Sequence, residues 1–367
     1  TFTMEIIRPT LVLNKTICQQ NIELMAEKAR RHNLTFRPHF KTHQSAEIGT
    51  WFQKVGVEKI TVSSVSMAKY FAEAEWKDIT IAIPFNILEC SEINRFSEDC
   101  ALNLVVDNTL TINTIGTKIK RNTGIYIKIS TGYERTGIEY AAVHKIDELL
   151  IALSQYRHLT FKGFLTHSGH TYRAASKYEV QNIHYDSLKK MFYLKEYYAS
   201  QFPKLEISVG DTPSCSISEN FMGATEIRPG NFVFYDLMQQ NIGACSIDDI
   251  ALRVLCPVIS KQSLRNEIVI YGGAIHFSKE FIRNSDGKNL YGRVVLQNGH
   301  EKKLLDSTNY LCRLTQEHGV IRMNPSVFRK IEIGNIVEII PVHACLTAHS
   351  MGHYMTNKGE IIEMMPR

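Results

Sequence analysis

Short apolar, β-branched runs alternate with longer segments of helical periodicity through roughly the first 235 residues, the order that a parallel sheet with crossover helices requires. The strand candidates are 35–40, 59–63, 79–83, 102–106, 125–129, 161–166, 206–209 and 226–234. Amphipathic stretches such as 14–32 and 178–201 separate them, with Asn14 and Asp147 placed as caps near helix starts. Eight such repeats predict an α/β fold closed into a (β/α)8 TIM-type barrel. From about residue 245 the pattern changes to β-rich segments without long helices between them, at 251–259, 267–271, 291–296 and 335–342. The expected organisation is a barrel over 1–245, whose first residues are candidates for pairing with the next domain, and a C-terminal β domain over 246–367.

Composition narrows the class. The 367 residues are 44% hydrophobic and 22% charged, ordinary for a globular protein. The formal charge of +5 is spread along the chain rather than gathered into a stripe, which gives no reason to expect nucleic acid as a partner. No apolar run is long enough to span a bilayer, and the opening TFTMEIIRPT lacks the order of a secretory signal. The eight cysteines are scattered without a CxxC pair, which predicts reduced thiols and a cytoplasmic location.

Chemistry in a barrel of this kind sits at the C-terminal ends of the strands, and polar residues collect there. Strand one ends in RPHFKTH (37–43), strand five runs into TGYERTG (131–137), strand six into HSGHTY (167–172), strand seven into GDTPS (210–214), and strand eight carries Arg228-Pro229-Gly230-Asn231. A lysine at a barrel mouth beside other cations is suited to form a Schiff base. The loops after strands seven and eight are the habitual phosphate site of the fold, where a glycine turn offers backbone N–H groups.

These motifs together resemble the fold-type III pyridoxal-phosphate enzymes that include D-threonine aldolase, zinc-dependent D-serine dehydratase and, more distantly, alanine racemase. The resemblance covers nearly the whole chain, and RPHFKTH is its most specific piece, supported by GYERTG, HSGHTY, GDTPS and EIRPGNFVFYD (226–236). It implies pyridoxal 5'-phosphate as cofactor, with Lys41 as the Schiff-base lysine and Arg135 facing the pyridine nitrogen. Gly210, Asp211 and Thr212 fall on the phosphate loop. Asp211 departs from the usual small or hydroxyl residue there, so only its backbone N–H is expected to serve. His167 and Tyr172 are candidates for contact with cofactor or substrate, His167 also for catalysis, and Tyr235 for contact with the phosphate. His39 and His43 are read as packing around the lysine, and Arg228 as a residue that structure alone could explain.

Near the C-terminus, PVHACLT (341–347) carries an HxC pair. On a strand, residues two apart face one side, so His343 and Cys345 would present an imidazole and a thiolate to one ion, a pair that suits zinc. In the family this place carries the metal ligands that alanine racemases lack, His with Cys in eukaryotic-type D-serine dehydratases and His with Asp in D-threonine aldolases. Zn2+ is thus expected, with Mn2+ or Mg2+ as alternatives. The extra His349 and His353 are read as surface or substrate-side residues.

The resemblance therefore implies a metal-assisted lyase acting on β-hydroxy-D-amino acids, of D-serine dehydratase type, and a homodimer whose only other partner is a small amino-acid substrate. Three alternatives stay open: retro-aldol cleavage to glycine and an aldehyde, a metal-free racemase, and a non-catalytic cofactor carrier, against which the β domain speaks.

Overall fold

The computed structural model describes residues 5–298 and 301–366. The first four residues of the opening segment, which the signal reading includes, lie outside them. Contacts group the chain into two units, one of residues 22–230 and one formed by the residues up to Asn21 together with those from Asn231 onward.

In the first unit eight parallel strands among the described residues form the barrel. They are Thr35–Phe36, Lys59–Val62, Asp78–Pro84, Ala101–Val106, Thr123–Ser130, Leu159–Leu165, Glu206–Val209 and Glu226–Ile227, and in this text they are barrel strands one to eight. Strands two to eight each pair with the next in sequence, strand one pairs with strand eight, and an isolated bridge between His39, just past strand one, and Thr61 of strand two closes the ring. Both faces of such a sheet are covered by side chains or helices, which is why Ile79, Leu104, Ile125, Ile127, Phe164 and Ile207 are all fully buried.

Several of the helices that follow the strands start in one way. A short polar residue stops the strand, and its side chain accepts a backbone N–H of the helix that follows, satisfying a donor that the helix cannot. Ser64 does this for Val65–Glu73, Asn108 for Thr109–Lys118, Ser176 for Lys177–Tyr198 and Asp211 for Thr212–Ile217. Asn14 caps Lys15–Arg31 through a 3.2 Å bond from Ile17 N, as expected. Asp147 does not cap: it lies inside Val143–Ser154 and accepts from the Tyr198 hydroxyl at 2.8 Å. Strand eight is also shorter than its apolar run, because Arg228-Pro229-Gly230 leaves the sheet and Asn231–Val233 forms a 3-10 turn. Proline cannot donate to a ladder, and here it ends one.

The second unit is built on a mainly antiparallel sheet of ten strands among the described residues. Thr10–Leu13 enters it antiparallel to Leu252–Gln262 and parallel to His353–Thr356. The texture of the sequence changes near residue 245, but the contacts change at Asn231, because Asp236 accepts the Ala344 N–H at 2.9 Å and Met238 N donates to Val342 O at 3.2 Å. Among the described residues no helix is long and apolar enough to cross a membrane.

The barrel interior is polar at its N-terminal end. Arg37 is 1% exposed and donates to Glu226 and to Asp78, each at 2.6 Å, and Glu226 is as buried as Arg37. Replacing Arg37 by leucine leaves a buried carboxylate without its cation, which costs on the order of 3–5 kcal/mol. A denaturant titration of Arg37→Leu should show its unfolding midpoint lowered accordingly, and an unchanged midpoint would contradict the role given to this pair.

His43 packs among Phe40, Phe52 and Phe71 with ring centroids 4.3, 5.6 and 5.9 Å away, and its Nδ1 accepts from Ser45 N. Burial drives its pKa down to about 3. The unfolded chain then binds a proton that the folded chain refuses, so the stabilisation is complete above the ordinary histidine value and is lost as pH falls below it. Unfolding free energy should decline by about 1.4 kcal/mol per pH unit below pH ~6.5 through this residue alone. Comparison of the pH slopes of wild type and His43→Leu should show one proton fewer in the variant.

Candidate active site

Lys41 follows the His39 bridge by two residues and stands exposed at the end of barrel strand one. The strand-eight exit lies directly against this segment: a Cβ on Gly230 would come within 2.9 Å of His39 O and 3.0 Å of Thr42 Oγ1. Only glycine lets the two loops approach this closely.

Cations surround the site. His39 and His167 are both held well below the ordinary histidine value, chiefly by burial and then by nearby positive groups, Lys41 for His39, Lys128 and Lys41 for His167. Lys128, inside strand five, is 5% exposed and is pushed well below the ordinary lysine value by burial, then by Arg228 and Arg135. Arg228 leaves strand eight into the barrel and donates to Ser208 Oγ at 2.5 Å, Val209 O at 3.2 Å and Thr166 O at 2.5 Å, and burial lowers it to about 10. These three acceptors are a hydroxyl and two carbonyls, none of them a carboxylate. A small recess is lined by Lys128, Ser130, Arg135 and His167 among others, and the Ser130 hydroxyl is buried there without a hydrogen-bond partner.

The loops after strands six and seven meet beside it. His167 Nδ1 lies 3.3 Å from Gly210 O, and the Tyr172 hydroxyl accepts from Thr212 N at 3.2 Å. Gly210 has φ of +128°, and a Cβ there would stand 2.6 Å from Arg228 N. The Asp211 carboxylate is turned away from this surface into its own turn: Oδ1 accepts from Ser214 N at 2.9 Å and from the Thr171 hydroxyl at 2.7 Å. Its backbone is what it can offer an anion, as its charge required.

One unit therefore gathers Lys41, Arg135, His167, Tyr172, Gly210, Asp211 and Thr212. Arg135 is exposed on its loop, with its guanidinium 5.0 Å from the Tyr133 ring centre. The remaining three site candidates belong to the other unit. Tyr235 is buried there with a left-handed φ of 48°, unusual for a residue with a Cβ. His343 and Cys345 are not on a strand, contrary to the expectation from their spacing. The strand Ile336–Pro341 ends first, and His343 is the N-cap of the helix Ala344–Met351, with Cys345 in its first turn. What brings them together is the cap geometry. The His343 side chain makes no capping bond, and its ring is hydrogen-bonded instead to Cys345 and to Glu280, with Nδ1 3.1 Å from Glu280 Oε2. Cys345 Sγ accepts from Asn231 Nδ2 at 3.6 Å, and Asn231 Oδ1 is buried with no partner. Although burial opposes it, the hydrogen bonds to Cys345 and Glu280 raise His343 to about 11. Among the described residues no group of three or more His, Cys, Asp or Glu side chains is arranged to hold an ion. His349 lies on the same helix, and His353 opens the strand that follows.

Four residues of these two clusters escaped the sequence reading. Lys128 had a signal, a lysine inside the apolar run IYIKIS. Ser130 and Asn231 had only their places at strand ends, and Glu280, an acid on an exposed loop, had none.

The chemistry of these donors fits two groups. Uncompensated buried cations, glycine turns and an unpartnered hydroxyl suit a cofactor carrying a phosphate, with a lysine at hand to bond it. An imidazole beside a thiol, both braced by side chains, suits a soft or borderline divalent metal.

Comparison with known proteins gives the same direction. The family model "Alanine racemase, N-terminal domain" matches residues 14–237, and "Putative serine dehydratase domain" matches residues 251–357. D-serine dehydratase of Dictyostelium discoideum is 27% identical, over 96% of this chain and 94% of that one. The solved structure of D-threo-3-hydroxyaspartate dehydratase from Delftia sp. HT23 superposes with a TM-score of 0.89 at 25% identity, covering 99% of this chain and 98% of that one, and a mutant of it in a metal-free form gives 0.87 at 24%. D-threonine aldolase of Arthrobacter sp is 22% identical over 91% of this chain and 85% of that one. With more than half of its 367 residues matched by the first of these models, the chain belongs to the alanine racemase N-terminal-domain family of fold-type III pyridoxal-phosphate proteins.

Proposed function

We propose that the protein is a pyridoxal-phosphate- and divalent-metal-dependent lyase that dehydrates β-hydroxy-D-amino acids, of D-serine dehydratase type. The observation that carries this reading is the His343–Cys345 pair: a racemase has no use for an imidazole and a thiol braced toward one point, and an aldolase of the family has a carboxylate in place of the thiol. When bound, the cofactor supplies an electron sink for charge developing at the substrate's Cα, and the metal supplies a Lewis acid for the β-hydroxyl.

This chain's residues do the rest. Lys41 would hold the cofactor covalently, and its amine would serve as the base for the substrate's α-proton. Gly210, Asp211 and Thr212 offer backbone N–H groups to the phosphate, with Tyr172 and Tyr235 as hydroxyl contacts. His167, kept neutral by burial, lies against the cofactor without adding charge. The fixed cation for the pyridine nitrogen is assigned to Arg228 rather than Arg135, because a buried guanidinium held by three acceptors keeps its field, whereas an exposed one is screened by water and salt. Arg135, at the recess, is left for the substrate's carboxylate. His343 and Cys345 hold the metal, and their nitrogen–sulfur donor set favours zinc over manganese or magnesium.

The proposal extends to a homodimer in the cytoplasm. None of the eight cysteines forms a disulfide among the described residues, which agrees with a reducing compartment. An active monomer at micromolar concentration in sedimentation would refute the dimer.

The deciding experiment supplies D-serine, D-threonine and D-threo-3-hydroxyaspartate with zinc and separates 2-oxo acid plus ammonia from glycine plus aldehyde. The expected products are 2-oxo acid and ammonia. Borohydride reduction should fix the cofactor on Lys41, and Lys41→Ala should bind it without covalent attachment and lose turnover. Cys345→Ala should keep the cofactor's absorption while turnover falls by about 10²-fold or more. Full zinc-independent turnover in Cys345→Ala would reject the metal-dependent reading in favour of a racemase.

A further inference from the structure

Glu280 lies between the short helix Ala274–Phe277 and the strand Ile282–Arg283, far in sequence from the HxC pair. Its Oε2 stands 3.1 Å from Nδ1 of His343. Among the described residues this is the one hydrogen bond its carboxylate makes. The carboxylate is 44% exposed, and an ion pair at that exposure adds little to folding stability. Its held position therefore asks for another explanation.

An ionised carboxylate can only accept. With Nε2 on a metal the ring keeps a single proton, on Nδ1, and the Glu280 carboxylate is placed to accept it there. An imidazole that donates from one nitrogen to a carboxylate and binds a metal through the other is oriented, and its ligating nitrogen is made more basic. Cys345 is braced in a comparable way by Asn231. Resting on the reading of His343 and Cys345 as metal ligands, we propose that Glu280 is a positioning residue for the metal, acting through His343 by fixing its tautomer and ring orientation rather than by ligating the ion itself.

The test measures zinc affinity of the cofactor-loaded protein by competition with a chromophoric chelator, for wild type, Glu280→Gln, Glu280→Asp, His343→Ala, Cys345→Ala and the double variant Glu280→Gln/His343→Ala. Glu280→Gln should bind zinc about 10–100-fold more weakly, with the cofactor spectrum and thermal midpoint unchanged, and Glu280→Asp should recover part of the loss. The double variant should bind zinc no more weakly than His343→Ala, because a residue that acts through His343 has nothing left to act on. Wild-type affinity in Glu280→Gln, beside weakened His343→Ala and Cys345→Ala, would overturn the role of Glu280 alone. A further loss in the double variant would overturn it in favour of direct ligation. Wild-type affinity in both His343→Ala and Cys345→Ala would overturn the metal reading itself, and Glu280 with it.

Discussion

Glu226 is the residue on which the barrel's interior turns. Its two carboxylate oxygens face opposite ways along the inside of the ring. Oε2 accepts from Arg37, and Oε1 accepts from the Ser208 hydroxyl, which in turn accepts from Arg228. Glu226 and Arg228 meet at the same hydroxyl, that of Ser208. One buried acid thus neutralises Arg37 outright and reaches Arg228 only through a neutral hydroxyl. The N-terminal end of the barrel is balanced by Glu226 and Asp78, while the C-terminal mouth keeps Arg228 and Lys128 short of anions. Buried cations without partners are costly, and a fold carries them where a ligand brings the opposite charge. Binding an anionic cofactor then stabilises the folded chain as well as equipping it.

The same imbalance explains the histidines. Two of the rings at the mouth, His39 and His167, are kept neutral by burial and by their cationic neighbours. A charged imidazole there would repel Lys41 and compete with it for the cofactor's negative groups. A neutral one can pack against a flat ring and still hydrogen-bond, as His167 does toward Gly210. His43 is neutral for a different reason, since it is enclosed by phenylalanines away from the charges.

Much of the barrel was legible because parallel strands buried on both faces read as continuous apolar runs, and their stops are marked by capping residues such as Ser64 and Asn108. Lys41, Gly210 and His167 stood out as candidates because the fold confines chemistry to strand ends. The errors have a common source. Asp147 looked like a cap, and 226–234 looked like one strand, because composition does not reveal where a chain leaves a sheet. The HxC spacing was read with a strand's period of two, when the strand had already ended at Pro341. Arg228 was hidden for another reason: an arginine on a strand is neutral evidence until the direction of its side chain is known. Contacts between residues 63 apart, such as Glu280 with His343, leave no local pattern at all.

Helical capping, rather than strand alternation, brings His343 and Cys345 together. Asp236 caps Leu237–Ile242 through its bond from Gln239 N, and its other oxygen accepts both the Asn231 amide at 2.7 Å and the backbone N–H of Ala344 at 2.9 Å. The first of these holds the amide that donates to Cys345, and the second takes the N–H next to His343, which frees the imidazole from the usual work of an N-cap side chain. A buried carboxylate spent entirely on backbone and amide donors is an unlikely choice for a ligand but a suitable frame for one. By fixing the turn on both sides of His343 it sets imidazole and thiol on one short arc, where a strand would have spread them along its length. The bonds of Asp236 run only to backbone and amide donors, so the turn that carries His343 and Cys345 is fixed by the chain itself, and under the proposed function affinity for an ion is left to those two side chains and to the groups that orient them.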